Sequence, residues 1–284
     1  MGKKFLPPLL ALVGGGAGFA LRKWQLATGF EGDTGLAVPG APAATAAAVC
    51  SVLVVLALLL LCWRGEKKLS WETAFAAGRQ NSLAVTALIL GAMLLFASGG
   101  AELVARSVNG AVFYEGETAF ARTTSRILSA LRIVLGIGAL PCVFLWARAL
   151  FRGEGGKENL AVLEPCLLYC VWLISTYQTR SADPVVQDYL YEVLAIVTSL
   201  LGLYFIAGHA FGNGKPRQAL FFSLAGTYFS LVTLADGYPL TDSFRYLFAA
   251  LYLTAHAALI LNHPPVEEQD ATAEAETEAD ENAG

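Results

Sequence analysis

The stretch Asp183-Pro184-Val185-Val186-Gln187-Asp188-Tyr189-Leu190-Tyr191-Glu192 leads into an apolar run at 193–207 and closes on His209. Asp183-Pro184 is a turn and helix-start signal. The run behind it is long enough to cross much of a bilayer. Asp188 and Glu192 stand at the head of that segment, and a carboxylate about a turn inside it is costly unless it faces protein or water. This reading decides the fold. A membrane helix with an ionic face must pack that face against other helices.

The whole chain carries the same character. Of its 284 residues, 56% are hydrophobic and only 15% are charged, against about 25% charge in an average soluble domain. The formal net charge of −4 misleads, because eight acids fall between Glu267 and Glu281. Without that tail the body is net basic, and no long basic run points to nucleic acid. The five cysteines, Cys50, Cys62, Cys142, Cys166 and Cys170, all lie in apolar segments, where a thiol is usually a small buried hydrophobe. Cys166 and Cys170 share a helix face, yet no Cys or His cluster completes a metal site around them.

Outward from the opening stretch, the chain reads as an all-α polytopic transmembrane bundle of about eight spans, or seven if the first run falls short. Met1-Gly2-Lys3-Lys4 and the apolar run 5–20 resemble a signal peptide. Pro7-Pro8 and Gly14-Gly15-Gly16 interrupt that run, so it reads instead as an uncleaved first helix whose glycines permit close helix contact. Residues 22–43 read as a Gly- and Pro-rich loop, either a connector or a cover. Further spans are expected at 44–63, at 83–97 with an extension to 104, and at 127–151, where Pro141 marks a kink. Residues 105–126 form a polar stretch carrying Arg106, Glu115, Glu117, Arg122 and Arg126. Pro165 suits the first turn of a helix at 161–178. The last two spans fall at 217–235 and 244–261. The transmembrane domain thus covers 1–263, and 264–284 forms a disordered, acidic, cytoplasmic tail.

Lys and Arg counts in the loops place both termini in the cytoplasm of a cell-membrane protein, eleven bases inside against seven outside. At the inner ends of three helices, Trp63-Arg64-Gly65-Glu66-Lys67, Phe151-Arg152-Gly153-Glu154-Gly155 and Phe211-Gly212-Asn213-Gly214-Lys215 form a faint repeat. It reads either as a duplicated hairpin or as the ordinary interfacial pattern of aromatic, glycine and cation.

Charge enters the spans at the opposite side. Asp188, Glu192 and Ser199 share one helix face, as do Arg245, Tyr252 and His256. Ser98, Glu102 and Arg106 are spaced by four, and Arg122, Arg126, Ser129 and Arg132 recur at helical spacing. Ser223, Thr227 and Ser230 make a polar stripe toward Asp236, and Arg180 closes its helix. Two arrangements account for these residues. One is a buried ion-pair network, in which Arg132, Arg180 and Arg245 neutralise Glu102, Asp188, Glu192 and Asp236, with interhelical contacts worth about 0.6–2 kcal/mol each. The other is a hydrated pocket lined by those charges. Arginine suits carboxylate or phosphate because its fork meets both oxygens. His256 reads either as a satisfied core histidine or as a proton relay.

No His-Glu-x-x-His, Gly-x-Ser-x-Gly or Gly-x-x-x-x-Gly-Lys-[Ser/Thr] motif is present, so nothing names a protease, hydrolase or ATPase, and no cofactor or metal is implied. The expected function is a transporter or binding protein for a small polar or anionic solute or a lipid headgroup. Its candidate ligand-binding residues are Glu192, Asp188, Arg132, Arg180, Arg245, Glu102, Asp236 and His256. The alternative is a non-catalytic sensor or accessory subunit that binds a partner membrane protein. An intramembrane enzyme using Glu192 or His256 on a lipid is a third, weaker reading. The bilayer itself is a partner in every case.

Overall fold

A computed structural model describes residues 2–32, 34–63, 74–79, 81–109, 119–153, 159–181, 183 and 185–262. The basic turn with Arg64, Lys67 and Lys68, the Glu115 and Glu117 segment, the 154–158 turn, Pro184 and the tail 264–284 lie outside the described residues. The protein is an all-α polytopic bundle. Among the described residues, eight helices are long and apolar enough to cross a membrane. They are α1 (Gly2–Thr28), α2 (Pro42–Trp63), α3 (Ser82–Asn109), α4 (Ala119–Arg152), α5 (Asn159–Arg180), α6 (Val186–Ala210), α7 (Pro216–Thr233) and α8 (Leu240–Leu261). A 3₁₀ turn, Leu234–Asp236, follows α7.

The helices run longer than the apolar stretches alone predict. The first is a full-length span, and Arg22 to Thr28 continue it rather than opening a loop. Pro7 and Pro8 lie inside it. The donors they lack would have served only the carbonyls of Lys3 and Lys4, so the helix survives them. α3 continues to Asn109, and α4 starts at Ala119, within the stretch read as polar connection. Pro165 falls in the second turn of α5, since that helix opens at Asn159. In each case hydropathy marks where a helix leaves the apolar core, not where the helix ends.

α3 to α8 form a ring in chain order. Each packs on the next, and α8 closes the ring against α3 while also packing on α7. α1 and α2 lie against α7 from outside the ring, which leaves α7 the most enclosed span. Aromatic side chains from α5 and α8 fill the interior. The Trp172 and Tyr246 rings are 5.0 Å apart, Tyr169 and Phe248 are 6.1 Å apart, and the Tyr169 hydroxyl donates to the Arg245 carbonyl at 2.7 Å. A large ring with one polar atom suits a site that is apolar except at a single point.

Close helix approach depends on glycine. A Cβ on Gly18 would stand 2.6 Å from Val232, so α1 reaches α7 only without one, as the glycine-rich first helix predicts. A Cβ on Gly99 of α3 would stand 2.9 Å from the Ile137 nitrogen of α4, and Gly136 faces Gly99 in the same way. The repeated aromatic–glycine pattern at the helix ends has a local account. Gly153 and Gly212 have φ values of 68° and 74°, the left-handed conformation that ends helices.

Candidate functional site

Chain direction brings the 29–41 loop, the ends of α3 and α5, the Leu234–Asp236 turn and the starts of α4, α6 and α8 to one end of the bundle. Seven of the eight expected site residues gather there, in three clusters.

The first is built on Glu102 of α3. Its Oε1 accepts from Arg132 Nε at 3.0 Å and from the Ser129 hydroxyl at 3.1 Å, both on α4. Its Oε2 accepts from Arg245 of α8. Arg132 also donates to the Ser175 hydroxyl of α5 at 2.6 Å. Arg245 is 1% exposed, donates to Asp242 at 2.7 Å, and stacks its guanidinium 5.2 Å from the Trp172 ring centroid. One carboxylate thus ties three helices together, and Arg132 extends the link to α5. Charge-assisted bonds of this kind are the strong ones.

The second is built on Arg180 at the end of α5. Its Nε pairs with Glu192 of α6 at 2.9 Å, and its Nη2 donates to the Tyr238 hydroxyl at 3.1 Å. That hydroxyl in turn donates to Glu192 at 3.1 Å. Burial, with the carboxylates of Glu192 and Asp236, pushes the Tyr238 phenol above its ordinary value, which keeps it a donor. Arg180 Nη1 has looser company, Asp183 and Asp188 at 3.7 Å each. The Asp188 side chain is 47% exposed, so this cluster reaches solvent.

The third was not legible as a site. Arg22 of α1 is fully buried. Its Nε pairs with Asp236 at 2.8 Å, and its remaining nitrogens donate to the carbonyls of Gln187 at 3.1 Å and Asp188 at 2.7 Å. Its guanidinium lies 5.1 Å from the Tyr191 centroid. By sequence it falls in the 22–43 loop. Asp236 therefore has its arginine on α1, not among Arg132, Arg180 and Arg245.

His256 does not join these clusters. Sixteen residues further along α8 than the start of that helix, it lies in the other half of the bundle. There it accepts from Trp146 Nε1 at 3.1 Å, its Nδ1 lies 3.0 Å from the Tyr252 carbonyl, and Phe75 meets it edge-on at 5.8 Å. Its polar atoms are satisfied within the core. The polar stripe on α7 likewise serves packing: Thr227 meets Thr254 at 3.0 Å, and Ser230 meets Ser199 at 3.4 Å. Cys166 is buried and unbridged, and no metal-ligand group is found among the described residues.

A cavity of about 580 Å³ opens at the charged end, between the 29–41 loop, the start of α2 and the start of α6. The loop folds on itself through an antiparallel bridge from Phe30 to Ala37, and Gly29 accepts from the Val38 nitrogen at 2.9 Å. Gln25, Thr45, Gln187 and Tyr191 supply the polar side chains of the wall. Tyr191 is fixed by Ser51, 3.1 Å away, which also meets Tyr228 at 2.9 Å. Gln25 Oε1 is buried and has no hydrogen-bond partner. The first turns of α6 separate this cavity from the Arg180 cluster: Gln187, Leu190 and Tyr191 face one side, while Asp188 and Glu192 face the other.

Comparison with known proteins finds no matching family model, no matching curated protein and no matching solved structure.

Proposed function

We propose that this membrane bundle binds a small polar solute at its charged end and conducts it across the bilayer, with the cavity beneath the 29–41 loop as the receiving site. In this reading the charged end faces outward and both termini lie in the cytoplasm of a cell-membrane protein, the orientation that puts the larger Lys and Arg count inside.

The observation that carries the reading is the cavity itself, about 580 Å³ at the charged end, with Gln25, Thr45, Gln187 and Tyr191 as its polar side chains. A hydroxyl- or amide-bearing solute can hydrogen-bond to side chains of these types. Pockets for small molecules are mostly apolar with a few placed polar groups, and this wall matches that description. A neutral or zwitterionic solute fits better than a simple anion. Arg22, Arg132, Arg180 and Arg245 are each engaged by carboxylates of the protein, and among the described residues no charged side chain lines the cavity. The ion-pair clusters then act as the frame that holds α6 against α1 and α5, rather than as direct ligands.

The test is thermal unfolding of purified protein against glycerol, glucose, glycine, inorganic phosphate and glutamate. A bound solute at a hundred times its dissociation constant adds about 2.7 kcal/mol. The expected result is stabilisation by a neutral or zwitterionic solute, abolished in Gln25→Leu. Stabilisation by phosphate or glutamate alone, unchanged in Gln25→Leu, would move the site back to the arginines. No response to any of them would remove the reading.

A further inference from the structure

At the charged end, every buried carboxylate among the described residues has an arginine: Glu102 has Arg132 and Arg245, Glu192 has Arg180, and Asp236 has Arg22. In the other half of the bundle one carboxylate among the described residues has none. Glu164 is the sixth residue of α5. It is 8% exposed, and neither of its carboxyl oxygens has accessible surface or a hydrogen-bond partner. The sequence hides it, because an acid in the first turns of a helix is the ordinary complement of the helix dipole. Here the side chain is enclosed instead of solvated.

Among the described residues, the titratable groups that act on Glu164 across the interfaces are Cys142 of α4 and Tyr252 of α8, neither a cation. α6, which also packs on α5, brings His209 to the same end of the bundle, and its Nε2 is likewise buried without a partner. His256 of α8 is engaged by Trp146. Arg148 and Arg152 of α4 are exposed, and neither pairs with Glu164. An ionised carboxylate without a counter-charge or donors is strongly disfavoured in such surroundings. A carboxylic acid is tolerated. Ionisable residues held inside membrane spans are the usual carriers of protons.

We propose that Glu164 is a proton-binding site, holding a proton on its carboxyl and exchanging it with water at the end of the bundle that carries His209. The step is a plain acid–base one. The O–H bond of the carboxyl breaks, its electron pair stays on the oxygen, and the proton passes to water. This inference does not depend on the solute site proposed above, and its test does not involve a solute.

The test is reaction of the full-length protein with dicyclohexylcarbodiimide, which enters apolar sites and needs the protonated acid, followed by mass spectrometry of the modified peptides. The expected result is a single adduct on Glu164, absent in Glu164→Gln. Its rate should fall about tenfold per pH unit once the carboxyl begins to ionise. Glu102 and Glu192, buried but paired with arginines, should stay unmodified. Three results would overturn the proposal. Equal modification of Glu102, Glu192 and Glu164 would show that the reagent reports burial alone. Protection of Glu164 by sodium ions at constant pH would make it a sodium site. Absence of modification at Glu164 at every pH, with Glu164→Gln folding normally, would mean that no proton resides there.

Discussion

The guanidinium Nε of Arg22 lies 2.8 Å from Oδ1 of Asp236, across 214 residues of chain, with Arg22 fully buried. This pair fixes α1 to the turn after α7, and through the carbonyls of Gln187 and Asp188 it also fixes the start of α6. Breaking a buried pair by removing one partner costs about 3–5 kcal/mol, because the other charge stays buried and alone. Arg22→Met is therefore expected to lower unfolding stability by that amount. The double variant Arg22→Met/Asp236→Leu should lose less than the sum of its singles. Denaturant unfolding in detergent micelles measures both. A single variant that costs under about 1 kcal/mol would mean that the pair relaxes into water.

Glu102 is the acceptor for two arginines at once, whereas Asp242 serves only Arg245. Glu102→Gln removes the shared charge and leaves Arg132 and Arg245 facing each other across a neutral amide. Asp242→Asn leaves Arg245 paired with Glu102. The first substitution should cost about 2–4 kcal/mol more than the second, on the scale of a broken buried pair. The same unfolding measurement decides it, and equal costs would show that Glu102 does not act as the junction.

The span count and the end of the bundle where charge collects are legible because both follow from periodicity and hydropathy. Asp188, Glu192 and Arg180 share the charged end as their helical spacing demands, since α5 and α6 are joined by a short turn. Pairing is less legible. Arg22 reads as a loop cation because hydropathy falls at Arg22-Lys23, yet the helix continues to Thr28 and carries the guanidinium inward. Asp236 and Arg22 meet only through the packing of α1 on α7, a long-range contact that no local pattern encodes. His256 shares a helix face with Arg245 but lies about three turns away, and a shared face does not bring residues to the same depth. Glu164 is invisible for a similar reason: enclosure depends on what α4 and α8 place around it.

Tyr238 gives a pH signature. Its phenol stands above the ordinary value of about 10 through burial and the carboxylates of Glu192 and Asp236. Above about pH 10 the unfolded chain releases this proton while the folded protein keeps it. The folded state then binds more protons, and stability falls as pH rises, by at most about 1.4 kcal/mol per unit from this group. Tyr238→Phe should flatten the alkaline limb of the stability profile by that amount and remove one late-titrating phenolate from the ultraviolet difference spectrum. An unchanged limb would place Tyr238 in contact with solvent.

The approach of α3 to α4 makes the last prediction. Gly99 and Gly136 meet backbone to backbone, and a methyl group on Gly99 would fall 2.9 Å from the Ile137 nitrogen and 3.0 Å from the Gly136 carbonyl carbon. Backbone atoms cannot swing aside, so Gly99→Ala must push the helices apart, at an expected cost of about 1–3 kcal/mol. Its neighbour is the control. A methyl group on Gly100 meets nothing within 4 Å, so Gly100→Ala should be neutral or stabilising by up to about 1 kcal/mol through helix propensity. The push also has an electrostatic consequence. Glu102 is one turn beyond Gly99 on α3, and Arg132 is one turn before Gly136 on α4, so the same separation stretches the Glu102–Arg132 bridge. Gly99→Ala and Glu102→Gln should therefore be non-additive, with the double variant losing less than the sum by about 0.5–3 kcal/mol. Thermal unfolding of the four proteins in the cycle measures the coupling, and strict additivity would mean that the α3–α4 contact and the ion-pair junction are independent.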